Sequence, residues 1–163
     1  MSAFSIEELE RSLLKGERLL RPVFESHDLT ALRLRSGRML QPIFTECRFD
    51  RVDASESYMP GAHFTGCVFA NSLFSHAYLR NSIFEKCLFE ATDFSGALLS
   101  EARFTRCSII NCRFDQAEFS ECSIESTNIE DSTFFLSDFT RVAVDQVAAI
   151  RQAIRGALLP SGV

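Results

Sequence analysis

The chain has 163 residues, 46% of them hydrophobic, and a formal net charge of −5, which suits one domain with a real core. No run of 18 apolar residues and no basic-then-apolar leader with a small-residue cleavage site occurs, so neither a membrane span nor an export signal is indicated and a cytoplasmic location is expected. In that compartment the six cysteines read as reduced thiols rather than disulfides.

The first element is a helix. In 5-SIEELERSLLKG-16, Ser5 and Glu8 have capping-box spacing, Ile6, Leu9 and Leu13 share a face, and Gly16 is a stop, which predicts a short N-terminal helix, assigned to 5–20. Residues 22–41 follow with large apolar residues at Phe24, Leu29, Leu34 and Met39, but the position two before each fails to stay small at His27 and Leu32. This segment is expected to be an imperfect first coil acting as a cap.

From Phe44 to Phe139, every fifth residue is large and apolar except Ala54, and thirteen of these twenty positions are Phe. Two residues before each stands Ala, Ser, Thr, Cys or Val, apart from Pro42, and all six cysteines fall in this column. A period of five belongs neither to a helix nor to a strand. It fits a chain that turns a corner every five residues, so that four corners make a square coil of twenty. Large inward side chains then alternate with small ones, and successive coils stack as parallel strands. No such unit buries its face alone, which makes the architecture a solenoid over 42–141. Ala54 and Pro60-Gly61 predict one distorted, underfilled coil. After the repeats, 143-AVDQVAAIRQAIRGALL-159 places Val147, Ile150, Ile154 and Leu158 at helical spacing, which predicts a C-terminal helix over the last coil that covers the outward Phe135 and Leu136.

The pattern FxxCxFxxxxF and segments such as 92-TDFSG-96 and 97-ALLSE-101 resemble the pentapeptide-repeat family, whose repeat is roughly A(D/N)Lxx with a central Phe or Leu. The resemblance implies an all-β solenoid, specifically a right-handed quadrilateral parallel β-helix; the spacing itself supplies the coil but not its hand.

Candidate chemistry is sparse. Cys47, Cys67, Cys87 and Cys107 are twenty apart and form one inner ladder, for which a metal or disulfide reading competes with small apolar filler. Thr127 continues the ladder without a thiol, which favours filler. His27, His63 and His76 share no column, and 61-GAHFTG-66 has phosphate-loop glycine spacing but continues into Cys67-Val68 instead of Lys-Ser/Thr. No catalytic, cofactor-binding or metal-binding residue is assigned, and no enzyme is expected.

The outer surface carries more information. The residue before each central one should point outward, and it is mostly apolar before about residue 100 and polar after it. Tyr58, Tyr78 and Leu98 form one outward stripe twenty apart, a candidate surface for a protein partner; outward strand positions also favour aromatic residues on their own account. Residues 1–41, 42–140 and 141–163 carry +1, −8 and +2. Between 114 and 140 lie seven acidic residues, including Glu118, Glu121, Glu125, Glu130, Asp131 and Asp138, and no basic one. This argues against direct nucleic-acid binding and permits a basic protein partner, while also serving solubility.

Two functions follow as expectations. One is a non-enzymatic protein-interaction scaffold, for which 16-GERLLRPVFESHDLTALRL-34 followed by repeats resembles pentapeptide accessory proteins of bacterial type VI secretion. The other comes from resemblance to the quinolone-resistance branch of the family, Phe-rich coils with a C-terminal dimerisation helix that mimic DNA on type II topoisomerases such as gyrase. In that case Val147, Ile150, Ile154 and Leu158 would pair two chains as a homodimer. No cofactor and no membrane association are expected in either.

Overall fold

The computed structural model describes residues 5–142. The expected C-terminal helix, with Val147, Ile150, Ile154 and Leu158, lies outside the described residues. Helix α1 (Ile6–Leu14) opens with a reciprocal capping box, in which Glu8 N–H donates to Ser5 Oγ at 3.2 Å and Ser5 N–H donates to Glu8 Oε2 at 2.9 Å. The helix is shorter than the span 5–20 expected for it. It ends at Leu14 because Gly16 turns the backbone to φ +66, and Arg18–Leu20 is already the first strand.

From Arg18 the chain forms about six turns of a four-faced parallel solenoid, with strands of three residues between Arg18–Leu20 and Asn128–Glu130. Pairing is offset by twenty residues throughout: Phe44 lies beside Phe64, Phe64 beside Phe84, and Phe84 beside Phe104. The other two faces are held by single bridges of the same offset, such as Asp53 with Leu73 and Tyr58 with Tyr78, apart from the strand pair of Arg18–Leu20 with Arg38–Leu40 that opens the second of them. The imperfect coil expected over 22–41 is paired throughout and begins earlier, at Arg18. Leu32 is accommodated inside, while His27 stays at the corner, where its Nδ1 donates to the Glu25 carbonyl at 2.8 Å.

The core is a set of stacked rings. Phe44, Phe64 and Phe84 lie nearly parallel with centroids 5.1 and 4.9 Å apart, and rings on adjacent faces meet edge to face, as Phe64 and Phe69 do at 5.4 Å and 69°. Both are favourable aromatic geometries. The small column supplies the remaining polar need: Ser72 Oγ donates to the Phe49 carbonyl at 2.8 Å and accepts from Val52 N–H at 3.0 Å.

The coil containing Ala54 is regular, contrary to expectation. Ala54 is fully buried beside Val52, the bulkier residue in its small column, and Ala54 N–H still donates to Leu73 O at 2.7 Å. Pro60 withdraws no ladder bond, because Met59 N–H and Gly61 N–H carry the bonds to the next coil, to Tyr78 O and Arg80 O, each at 2.9 Å. Gly61 adopts φ +64, the conformation of every other corner. That corner conformation recurs every fifth residue from Arg21 to Arg141, and only Gly61, Gly66 and Gly96 meet it with glycine. Each non-glycine corner is strained by about 1 kcal/mol, a cost offset by the inter-coil bond its N–H makes, such as Arg21 N–H to Leu40 O at 2.8 Å.

Candidate interaction face

On one face, the residues that precede the central ones stack in register: Arg38 beside Tyr58, then Tyr78, Leu98, Glu118 and Asp138, with Arg18 beneath Arg38. The strand geometry turns all of them outward, because their neighbours Met39, Met59, Leu79, Leu99, Phe119 and Phe139 are buried. The stripe expected from Tyr58, Tyr78 and Leu98 is therefore the middle of a longer column. Tyr58 and Tyr78 have ring centroids 4.7 Å apart, and the Arg38 guanidinium carbon lies 6.0 Å from the Tyr58 ring centre, within cation–π range.

Charge along the column changes sign, from two arginines at one end to two carboxylates at the other. Arg80, one position beyond the central Leu79, lies across the face: its Nη2 donates to Glu118 Oε1 at 2.6 Å and to Ser100 Oγ at 3.3 Å. The Glu118 carboxylate holds Arg80 above the ordinary arginine range. Its Nε is buried with no hydrogen-bond partner. Arg18, Arg38 and Arg80 were missed in the sequence. The first two were findable by stepping back twenty residues from Tyr58, whereas the partnership of Arg80 with Glu118 spans 38 residues and has no signature in a period of twenty.

The six acidic residues singled out in the sequence do not converge. Glu118 and Asp138 belong to this column, but Glu125 and Glu130 end strands on two other faces, where they accept from Ser123 Oγ at 2.8 Å and Asn128 Nδ2 at 2.9 Å. Glu121 and Asp131 sit at corners, with Glu121 paired to Arg141. Phe135 and Leu136 are exposed among the described residues.

All six cysteines are free and buried. In the ladder, Cys67, Cys87 and Cys107 Sγ donate to the carbonyls of Phe44, Phe64 and Phe84 at 3.4, 3.4 and 3.3 Å. Thr127 Oγ1 makes the same bond to Phe104 O at 3.3 Å, so thiol and hydroxyl are alternatives in one slot. Burial pushes Cys112 up to about 11 and Cys122 up to about 12. Among the described residues no group of three or more His, Cys, Asp or Glu is placed to hold a metal ion, and no helix is long and apolar enough to cross a membrane.

Residues 57–134 match the family model described as "Pentapeptide repeat region". Among solved structures, a pentapeptide repeat protein from the thylakoid lumen of Arabidopsis thaliana superposes with a TM-score of 0.55 at 18% identity, over 85% of this chain and 83% of that one. QnrB1, a plasmid-mediated fluoroquinolone resistance protein, gives 0.41 at 14% identity over 87% and 93%. HetL, a pentapeptide repeat protein involved in heterocyst differentiation regulation in Nostoc sp. strain PCC 7120, gives 0.40 at 14% over 96% and 91%. No curated protein matches. The repeat match and the stacked twenty-residue coils agree: residues 57–134 carry a pentapeptide-repeat region, and the described chain has the fold of pentapeptide-repeat proteins.

Proposed function

We propose that the chain is a non-enzymatic scaffold that binds a protein partner through the face bearing Tyr58, Tyr78 and Leu98. The observation that carries this reading is the aromatic ladder itself, two tyrosines on successive coils with ring centroids 4.7 Å apart and planes tilted by 33°. Their rings are held in place by the coils beneath, so little side-chain freedom is lost on binding. The likeness of residues 16–34 to type VI accessory proteins supports seeking the partner among components of a bacterial secretion machine. The test is capture of proteins from the native host by the wild type and by Tyr58→Ala/Tyr78→Ala/Leu98→Ala. The variant should lose the specific partner while keeping the wild-type melting temperature. Recovery of the same proteins by both would remove this face from consideration.

A second reading has its own observation, the run of seven acidic residues between 114 and 140 without a basic one. On this reading the acidic end enters the basic DNA-binding groove of a type II topoisomerase, in the cytoplasm of a bacterial host. It is tested by adding the protein to a gyrase supercoiling assay beside Glu118→Gln/Glu121→Gln/Glu125→Gln/Glu130→Gln. Inhibition by the wild type that the variant loses would place this reading first; equal behaviour of the two would dismiss it.

A further inference from the structure

We propose that the partner of this face is a second copy of the same chain, bound face to face with the two solenoid axes antiparallel. The proposal rests on the reading of the face as a binding surface and names its occupant. The column steps by twenty residues per coil, so a twofold axis lying along the strand direction at Tyr78 brings together residues equidistant from 78. Arg18 then faces Asp138, Arg38 faces Glu118, Tyr58 faces Leu98, and Tyr78 meets its own copy. A twofold interface requires a self-complementary patch, and a column that runs from cationic through aromatic to anionic meets that requirement in the antiparallel orientation alone. Parallel stacking of the same faces would set arginine against arginine and carboxylate against carboxylate.

The sign reversal also selects against other occupants. A partner of uniform charge would be attracted at one end of the column and repelled at the other, whereas a face with the same reversal satisfies both ends at once. The adjoining column agrees in shape, because Leu40 and Pro60 fall opposite the small Ser120 and Ser100. Arg80 falls opposite Arg80 near the axis, but its guanidinium is drawn away toward Glu118, to which it is hydrogen-bonded at 2.6 Å.

Six coil steps of about 4.8 Å give a column about 29 Å long. One face of a solenoid buries less than a standard interface, so the dimer is expected to be weak, with micromolar dissociation, and to loosen with salt because its ends are ionic.

Sedimentation velocity of the full chain tests this between about 1 and 100 µM at low and high salt. The wild type should dimerise at low salt. Arg18→Asp/Arg38→Glu and Glu118→Lys/Asp138→Lys should each be monomeric alone, through repulsion at both ends, and an equimolar mixture should sediment as a heterodimer. Because Glu118→Lys also breaks the pair with Arg80, the experiment is repeated with Arg18→Asp and Asp138→Lys as single variants, with circular dichroism confirming the fold. A wild type that stays monomeric throughout overturns the proposal, including the case where another part of the chain covers the face. So does a dimer that persists in both charge-reversed variants, since it must use another surface, and so does a mixture that fails to associate. If dimerisation fails while the tyrosine variant still loses captured proteins, the binding face stands with a different partner. If both fail, the functional reading falls with it.

Discussion

Arg80 and Glu118 stand two coils apart, and the arginine Nη2 reaches over Ser100 to the glutamate Oε1 at 2.6 Å. Their side chains are 37% and 31% exposed, intermediate between a surface ion pair and a buried one. The contact fastens three successive coils, so it should hold the outer face together against local opening. A double-mutant cycle with Arg80→Met and Glu118→Gln is expected to give a coupling of about 1 kcal/mol, at the upper end for partly exposed pairs. Urea denaturation measures it, and a coupling indistinguishable from zero would make the pair a passive surface contact.

The ring stacks make a sharper claim about the core. Phe84 lies between Phe64 at 4.9 Å and Phe104 at 4.7 Å, and Phe84→Ala should destabilise by roughly 3–5 kcal/mol. Ile129, half-buried in the last strand, has a paired neighbour on only one side among the described residues, so Ile129→Ala should cost roughly 1–2 kcal/mol. Equal losses would mean that the core does not distinguish its middle coils from its last one.

The register was legible because the interior of a narrow solenoid excludes almost everything but one large and one small residue per corner. The column of Phe and the column of Ser, Ala and Cys therefore appear in the sequence without help from tertiary contacts. The Ala54 coil misled for the same reason: reading each central position alone overlooks Val52, whose extra bulk lies beside the small central residue. The outer face was legible only in its apolar part. Tyr58, Tyr78 and Leu98 stood out, but Arg18 and Arg38 stand on either side of His27 and Leu32, where the small column looks broken, so the cationic end of the column was not joined to it. The strained corners left no sequence trace because residues as different as Arg51, Asn71, Lys86 and Leu136 all occupy them.

Three glycines separate corner strain from crowding. At Gly66, φ is +64 and an added Cβ would meet Glu46 Cγ at 3.6 Å, an ordinary contact, so Gly66→Ala should cost only the left-handed strain of about 1 kcal/mol. At Gly96 the Cβ would collide with the His76 ring, which is exposed and can swing away, adding a modest further loss. Gly37 is not at a left-handed corner, but its Cβ would sit 2.8 Å from the Leu34 carbonyl oxygen and 2.9 Å from Leu13 of α1. Backbone there cannot yield cheaply, so Gly37→Ala should be the most damaging, at roughly 2–3 kcal/mol, and should loosen the helix. Denaturation midpoints of the three variants give the order, and a Gly66 variant worse than the Gly37 variant would contradict it.

The buried thiols make stability depend on alkaline pH. In Cys112 and Cys122 burial raises the folded-state values to about 11 and about 12, against an ordinary value of 9.0. Below pH 9 the thiols are protonated in both states and their contribution to stability is complete. Above it the unfolded chain loses its protons first, so unfolding becomes progressively more favourable until the folded thiols ionise near pH 11 to 12. Each group can contribute a slope of at most about 1.4 kcal/mol per pH unit across that window. Ser occupies the same slot at position 132 and bonds the Glu130 carbonyl at 2.9 Å, much as Cys112 bonds that of Ile110 at 3.3 Å. Cys112→Ser should therefore change stability at pH 7 by less than about 1 kcal/mol while reducing the loss measured between pH 9 and 11. Urea titrations at pH 7, 9 and 10.5 compare the two proteins, with a thiol reagent reporting accessibility in parallel. Parallel decline of both proteins would assign the alkaline loss to other groups, and rapid labelling of the native protein at pH 7 would contradict the burial of the cysteine column.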